Sequence, residues 1–438
     1  MGMMALAISL TGCVRLEEDD LFDESAALRI EHTGDDVQRL LVNAPYGWVM
    51  QYHTGTGVSV FEGFNLFAKF EQSGKVTLAG NHKYLRDGNA NKYTEASSLY
   101  QLIREDGLVL AFNTWNDVLT PFVDPVAPYA APDNLLKDGA GMQGDQNLVI
   151  TSYNDKEVIM RGERYGAEVR LVKADRAWAD YIADTESMKN SITNSTITSY
   201  YLTAGGRDTL YYVGLRGGKY RKSDRVNDPL RVDSISCCFT PNGFRNEHSD
   251  EVSGHRFQEF TLSEDKSCLV NEDGTVKVIP MWDTYIVTRT TLWKLDPEAF
   301  TEEQQQLYAQ MDEAFKVYNK NASIASVGLG RSSGGGAVNG LVVTFYTNAK
   351  KTQSNTCGLS MTFTRPRFGE INIDSSEAST IDNNLKSIGG RSAELEPLVR
   401  KFAATLNGTY TMVPNDYFLP TGAVFTSVSD ATKLVLSK

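Results

Sequence analysis

A mainly β, antiparallel protein with a few helices, and α+β character at its domain junctions, is expected from three features of the sequence. Short apolar runs recur with the two-residue alternation of half-buried strands, as in Phe64, Leu66, Ala68 and Phe70. Turn pairs punctuate them: Ser73-Gly74, Asp106-Gly107, Asn154-Asp155, Tyr165-Gly166, Asn242-Gly243 and Asp273-Gly274. No helix-length segment separates the runs of the N-terminal part, so parallel crossovers have no material there.

Taken in order, Asp23 to Asn43 reads as helical, with apolar positions at Val37, Leu40 and Leu41, a break expected at Thr33-Gly34 and a stop at Pro45. Strands are expected at Gly47–His53, Phe61–Glu71, Lys75–Leu78, Leu99–Ile103, Leu108–Phe112, Leu148–Ser152, Val158–Arg161 and Glu168–Val172. Such a meander closes into a lipocalin-like barrel or a strongly coiled sheet, since closure removes exposed edges. A helix is expected over Asp175–Ile192 and a polar linker over Ser191–Ser199. Strands resume at Thr209–Val213, Arg231–Thr240, Phe257–Leu262, Thr275–Ile279 and Tyr285–Thr290.

One long helix should start at Asp296-Pro297, a capping residue followed by the proline that suits a first turn, and run to Asn319. Gly328–Gly340 reads as a flexible Gly/Ser segment. Further strands are expected at Leu341–Tyr346, Leu359–Thr364, Gly369–Ile373, Gly408–Met412 and Lys433–Leu436, with a helix over Leu395–Leu406. The resulting division is 1–13 signal, 14–22 acidic tether, 23–174 helix plus barrel, 175–208 helix and linker, 209–326 second β-rich region with the long helix, and 327–438 C-terminal β-rich region.

With 438 residues and a formal net charge of −12, the chain can bury a large core and would be repelled by nucleic acid. No apolar run is long enough to span a membrane. The start is different. Met3 to Leu10 is apolar and runs into Leu10-Thr11-Gly12-Cys13, which resembles a bacterial lipobox. That resemblance implies lipidation of Cys13 and attachment to a membrane through acyl chains, each buried CH₂ worth about 0.8 kcal/mol. Glu17-Glu18-Asp19-Asp20 resembles the signal that sends such lipoproteins to the outer cell surface. Cys237, Cys238, Cys268 and Cys357 read as buried thiols, with at most one disulfide, to Cys268.

The search for chemistry returns little. His32, His53, His82, His248 and His255 show no metal-ligand spacing, and His248 and His255 fall in text that reads as loop. Gly334-Gly335-Gly336 lacks the Lys-Ser/Thr of a phosphate loop. Glu105-Asp106 and Glu302-Glu303 read as solvent-facing. Asp133, Asp138 and Asp145 lack calcium-loop spacing. No cofactor, metal or catalytic residue is expected. What remains is the loop after the Asp106-Gly107 hairpin, where Asn113, Thr114, Trp115, Asn116, Phe122 and Asp124 sit together. An aromatic ring beside amides and a carboxylate suits a sugar or a peptide. The competing reading makes Trp115 a core plug and the asparagines turn formers.

Specific stretches resemble a family of Bacteroidetes lipoproteins known only as a domain of unknown function. They are Leu21-Phe22-Asp23-Glu24-Ser25-Ala26-Ala27, Gly47-Trp48, Gly63-Phe64, Ser98-Leu99-Tyr100, Leu110-Ala111-Phe112-Asn113-Thr114-Trp115-Asn116, Asp124-Pro125, Gly144-Asp145 and Met160-Arg161-Gly162. The likeness is dense from Cys13 to about Val172 and loose beyond. It implies an accessory surface protein that works with a Sus-type porin and its lid lipoprotein, and it carries no catalytic residue across. The expected function is therefore a surface-anchored protein that binds glycan or peptide or scaffolds an uptake complex. A hydrolase with an unrecognised site and a carrier of a small apolar ligand are the alternatives.

Overall fold

The computed structural model describes residues 26–55, 62–104, 107–124, 142–194, 196–215, 217–224, 232–287, 291–333, 335–376 and 380–438. Cys13 and the acidic tether lie outside them. The described residues form two compact units, the first ending at Trp178 and the second starting at Ala179, with Glu62 and Gly63 grouped in the second.

The first unit opens with α1 (Ala26–Val42), followed by β1 (Trp48–His53), β2 (Phe64–Phe70), β3 (Lys75–Gly80), β4 (Thr94–Arg104) and β5 (Leu108–Phe112). A single turn, α2 (Thr120–Val123), precedes β6 (Asn147–Tyr153), β7 (Glu157–Gly162) and β8 (Glu168–Lys173). Each strand pairs antiparallel with the next, and β1 pairs with β8 from Trp48↔Lys173 to His53↔Glu168, closing an eight-stranded up-and-down barrel. The two-residue alternation sets which side chains face inward. Met50, Leu66, Leu78, Leu110, Met160 and Leu171 share that face and are fully buried or nearly so. At one end α1 packs over β2, β4 and β5, and Trp48 donates its indole N–H to Leu41 O (3.0 Å).

The expected break at Thr33-Gly34 does not occur. Gly34 sits inside α1 because a Cβ there would lie 2.4 Å from Nε of Arg104. The Arg104 guanidinium uses that space to reach Glu31 O (3.3 Å) and Asp35 Oδ1 (2.8 Å). Gly34 gives passage to a side chain rather than stopping the helix.

The second unit starts within α3 (Trp178–Ile192) and continues into β9 (Tyr200–Ala204), β10 (Arg207–Gly214), β11 (Lys219–Asp224), β12 (Val232–Thr240), β13 (Gly243–Val252), β14 (His255–Leu262), β15 (Leu269–Asn271) and β16 (Val276–Pro280). These strands also pair in chain order, and β9 pairs with β16 from Tyr200↔Pro280 to Ala204↔Val276. The result is a second closed barrel. Its opening strand was expected as linker. Its core includes Phe418, which arrives from far along the chain and whose carbonyl accepts from the Asn194 amide (2.7 Å). Cys237 faces this core, and all four described cysteines are buried free thiols. Burial pushes the Cys237 thiol up to about 12.

The rest of the unit is a nine-stranded sheet with three helices against one face. It begins at α4 (Trp282–Val287), where a strand was expected. The reason is visible in the burial: Trp282 and Ile286, four apart, share one buried helical face. After β17 (Trp293–Leu295), Asp296 caps only a 3₁₀ turn, Pro297–Ala299. The helix proper, α5 (Glu302–Tyr318), has its own start, a capping box between Thr301 and Gln304. The single helix expected from Asp296 is therefore two pieces broken at Phe300.

Next come β18 (Ser323–Arg331), β19 (Asn339–Tyr346), β20 (Ser354–Ser360), β21 (Thr362–Thr364), β22 (Glu370–Asp374), α6 (Asn383–Gly389), α7 (Leu395–Ala404), β23 (Gly408–Pro414), β24 (Gly422–Ser427) and β25 (Lys433–Ser437). The sheet order is β20-β19-β18-β17-β25-β24-β23-β22-β21. Its two edge strands, β20 and β21, are consecutive in the chain and separated only by Met361. The sheet thus returns on itself through one interrupted strand. Phe315 of α5 stacks on Phe345 (4.6 Å), and Phe300 meets Phe402 of α7 edge-on (5.4 Å).

The Gly/Ser segment is only partly a loop. Gly328 and Gly330 belong to β18, beside β17, where a Cβ on Gly328 would lie 2.4 Å from the Trp293 carbonyl oxygen. Gly328→Ala should therefore lower stability by about 1–3 kcal/mol, the range for overpacking, in a denaturant melt. A melt that superimposes on wild type would return this position to the flexible segment the sequence suggests.

Candidate functional site at the rim of the first barrel

The end of the first barrel opposite α1 carries the β3–β4 loop, the loop after β5 and the β7–β8 turn. Phe112 is the last residue of β5, so the chain from Asn113 onward leaves the sheet at this rim. Its first residues are tied to β4: Asn113 N donates to Leu99 O (3.0 Å), and Leu99 N donates to the Thr114 hydroxyl (2.9 Å).

The structure separates the candidates that the sequence grouped. Trp115 is 51% exposed, which overturns its reading as a core plug. Its ring is nevertheless held. The indole N–H donates to Asp117 Oδ1 (2.6 Å), and the Arg86 guanidinium lies 4.4 Å from the ring centre. Arg86 also pairs with Asp124 (3.3 Å). Asn113 is exposed and donates to the Gln101 side chain (3.2 Å).

Asn116 and Phe122 do not belong to a binding surface. Asn116 is buried, donating to Ala96 O (3.1 Å) and the Ser98 hydroxyl (3.0 Å) and accepting from Val118 N (3.0 Å). Its amide is consumed in folding the loop. Phe122 has no exposed surface and lies within 4.6–6.1 Å of the rings of Tyr52, Phe64, His82 and Tyr84. This aromatic cluster packs at the rim end of the barrel. Pro121, in the first turn of α2, is buried beside Phe122.

Arg86, Asp117 and His82 are what sequence reading missed. Nothing in the spacing joins Arg86 to a tryptophan twenty-nine positions on (115 − 86). The only hint is that Arg86 falls in turn-rich text, Asp87-Gly88. His82 is buried, and its Nε2 lies 2.9 Å from the Val118 carbonyl, so the neutral ring donates there. Burial pulls its pKa down to about 4, and the hydrogen bond to Val118 opposes that shift only in part.

Asp145 has a structural task. Its carboxylate accepts backbone N–H bonds from Arg164, Tyr165 and Ala167 at 2.9–3.2 Å and so clasps the β7–β8 turn. Gly162 gives it room, since a Cβ there would lie 1.9 Å from Oδ2. Asp133 and Asp138 lie outside the described residues. His248 and His255 sit on the β13–β14 hairpin rather than in a loop. Among the described residues no three His, Cys, Asp or Glu side chains cluster as metal ligands.

A family model described as a domain of unknown function, DUF4302, matches residues 18–264, more than half of the chain. The chain belongs to the DUF4302 family. The matched segment takes in the whole first barrel and runs into the second as far as β14. No curated protein matches. Among solved structures, an uncharacterized protein from Bacteroides eggerthii shares 14% identity over 29% of this chain and 96% of its own, with a TM-score of 0.18. A DNA polymerase sliding clamp from Pseudomonas aeruginosa shares 6% over 94% and 95%, with a TM-score of 0.12. TM-scores this low carry no argument about fold or function.

Two outcomes follow for this DUF4302 chain. Trp115→Ala should cost less than about 1 kcal/mol in a denaturant melt, a surface change plus one exposed cation–π contact. Phe122→Ala should cost about 3–5 kcal/mol. A Trp115 loss as large as that of Phe122 would make the rim tryptophan structural.

His82 also makes stability depend on pH. Because its folded pKa lies below the unfolded value, the unfolded chain takes up the proton first as pH falls. Stability is complete above about pH 6.5 and declines towards pH 4, by on the order of 3 kcal/mol. In His82→Phe that part of the decline should vanish; an unchanged pH profile would rule His82 out as its source.

Proposed function

We propose that this protein is a surface lipoprotein, anchored through Cys13, that serves a Sus-type nutrient-uptake system by binding glycan or peptide at the rim of its first barrel. The observation that carries the binding part is Trp115. A large ring half open to water is normally mobile. This one is open yet fixed, by Asp117 at its N–H and Arg86 against its ring. An aromatic surface already ordered before binding loses little entropy when a ligand stacks on it. Asp117 at the ring, Asp124 on Arg86 and Asn113 two positions before the tryptophan supply carboxylate and amide groups in the same loop, the donors and acceptors that hydroxyls or peptide groups need. The lipobox-like Leu10-Thr11-Gly12-Cys13 and the acidic run after it support the anchored, outward-facing part of the reading.

A glycan and peptide array probed with wild type and Trp115→Ala tests the binding part. The variant should bind any captured ligand about 2 kcal/mol or more weaker, as for an anchor residue, with its melt close to wild type. Equal binding by both proteins, or no capture by wild type, would defeat it. Cys13→Ala should move the expressed protein from membrane to soluble fractions. Unchanged membrane attachment would defeat the anchor.

A further inference from the structure

We infer that the loop between β21 and β22 is a binding site for a carboxylate borne on an apolar or aromatic group, with Arg365 gripping the carboxylate and Phe368 covering the apolar part. The site lies in the second unit and uses nothing of the rim tryptophan.

Arg365 is held from one corner of its guanidinium. Nη1 lies within hydrogen-bond distance of Asp283 Oδ2 (3.1 Å) and the Thr284 hydroxyl (2.6 Å) in the first turn of α4, and of the Tyr201 hydroxyl of β9 (3.1 Å). Asp283 is fully buried, so the cation cannot leave without stranding a charge. The other edge of the guanidinium is idle. Nε and Nη2 donate to nothing among the described residues, and the side chain is 35% exposed. Compensating Asp283 needs one charge and one donor, and the planar fork of an arginine supplies more than that. Its Nε–H and one Nη2–H point the same way, the edge that grips both oxygens of a carboxylate. A carboxylate behind fixes the plane, and the open edge in front is free for a second one.

The ring that accompanies it is fixed as well. Phe368 is 45% exposed and packs edge-on against Tyr201 (5.5 Å) and Trp282 (5.4 Å). Tyr201 therefore joins the two groups, with its hydroxyl at Arg365 and its ring at Phe368. The loop between them is tied down. Glu370 N donates to Arg367 O (3.1 Å), Met412 N donates to Gly369 O (2.8 Å), and Arg367 pairs with Glu370 (2.7 Å). A cation and a ring already in place lose little entropy when a ligand arrives. A small inorganic anion would leave the ring unused, and a neutral apolar molecule would leave the fork to water. Asp283 balances Arg365 and Glu370 balances Arg367, so the loop has no surplus charge. Selection then rests on the two-point fit and the ring, not on long-range attraction.

The test uses the full chain with ¹⁵N-labelled arginine in mildly acidic buffer, where Nε–H signals persist. The Arg365 signal is assigned by its loss in Arg365→Lys. Acetyl-alanyl-phenylalanine, which ends in a free carboxylate, and separately 3-phenylpropionate should move this signal downfield to saturation while the other arginine signals stay in place. The first probe stands for a peptide C-terminus and the second for a free aromatic acid, and the tighter of the two names the source. The same peptide ending in an amide should leave the signal where it is. Phe368→Ala should need about tenfold more of either acid to reach the same shift. Arg365→Lys keeps a cation for Asp283 and loses the fork, so ligand-observed saturation transfer from either acid should fall away. The comparison of acid with amide on wild type stands whether or not a variant folds. Equal shifts with acid and amide, unchanged affinity in Phe368→Ala, undiminished saturation transfer in Arg365→Lys, or no saturable shift in wild type would each overturn the proposal. The last result would leave Arg365 as a strut for Asp283 alone.

Discussion

Three ladders hold this chain in shape, each joining the first strand of a meander to its last. They are Trp48–His53 with Glu168–Lys173, Tyr200–Ala204 with Val276–Pro280, and Lys294-Leu295 with Leu436-Ser437. Every other named strand pairing links neighbours in sequence, most of them through a short turn and the rest through the 54–63 and 81–93 loops or across α2, α5, and α6 with α7. The closing ladders join residues more than seventy positions apart, so they bear the largest loop-closure cost and form only once the intervening strands are ordered. Without them β1, β8, β9 and β16 would each be an open edge. Closure makes each of the two barrels cooperative, because a strand in a ring cannot leave without breaking two ladders.

The local half of this was legible in the sequence. The strands of the first barrel announce themselves because their inward positions are apolar at period two and Gly, Asn or Asp marks the turns. Where legibility failed, a tertiary contact overrode a local sign. Tyr200–Ala204 follows a run of Ser, Thr and Asn that reads as linker, and it becomes a strand because Leu202 has partners on both β10 and β16. Gly328 and Gly330 look like flexibility and are instead places where two backbones approach too closely for a Cβ. Tyr285-Ile286-Val287 has strand-forming residues but is wound into α4 by the burial of Trp282 and Ile286 on one face.

The rim shows the same limit at the scale of side chains. Asn, Asp and Trp in a loop are the residues of binding sites and equally the residues that build loops. Composition cannot separate an amide that is spent on the backbone from one that is displayed. Asn116 and Asp145 turned out to be spent, holding neighbouring main-chain groups in place. Trp115 turned out to be displayed, and the cation that covers its ring comes from a loop that no local pattern connects with it. A surface of this kind is assembled by the fold, with one loop supplying the ring and another the charge that steadies it.

Closing a meander on itself has a mechanical consequence. The first and last strands of each ring are antiparallel neighbours, so the chain enters and leaves the ring at the same point. Trp48 stands opposite Lys173, and Tyr200 stands opposite Pro280. A pull along the chain would therefore act on the nearest rung of the closing ladder alone, opening it one bond after another as a zipper opens. Strands loaded in shear share the force across all their rungs at once, and none of these three closures has that geometry. Each barrel should therefore give way to tension at low force, starting from the point where it was closed.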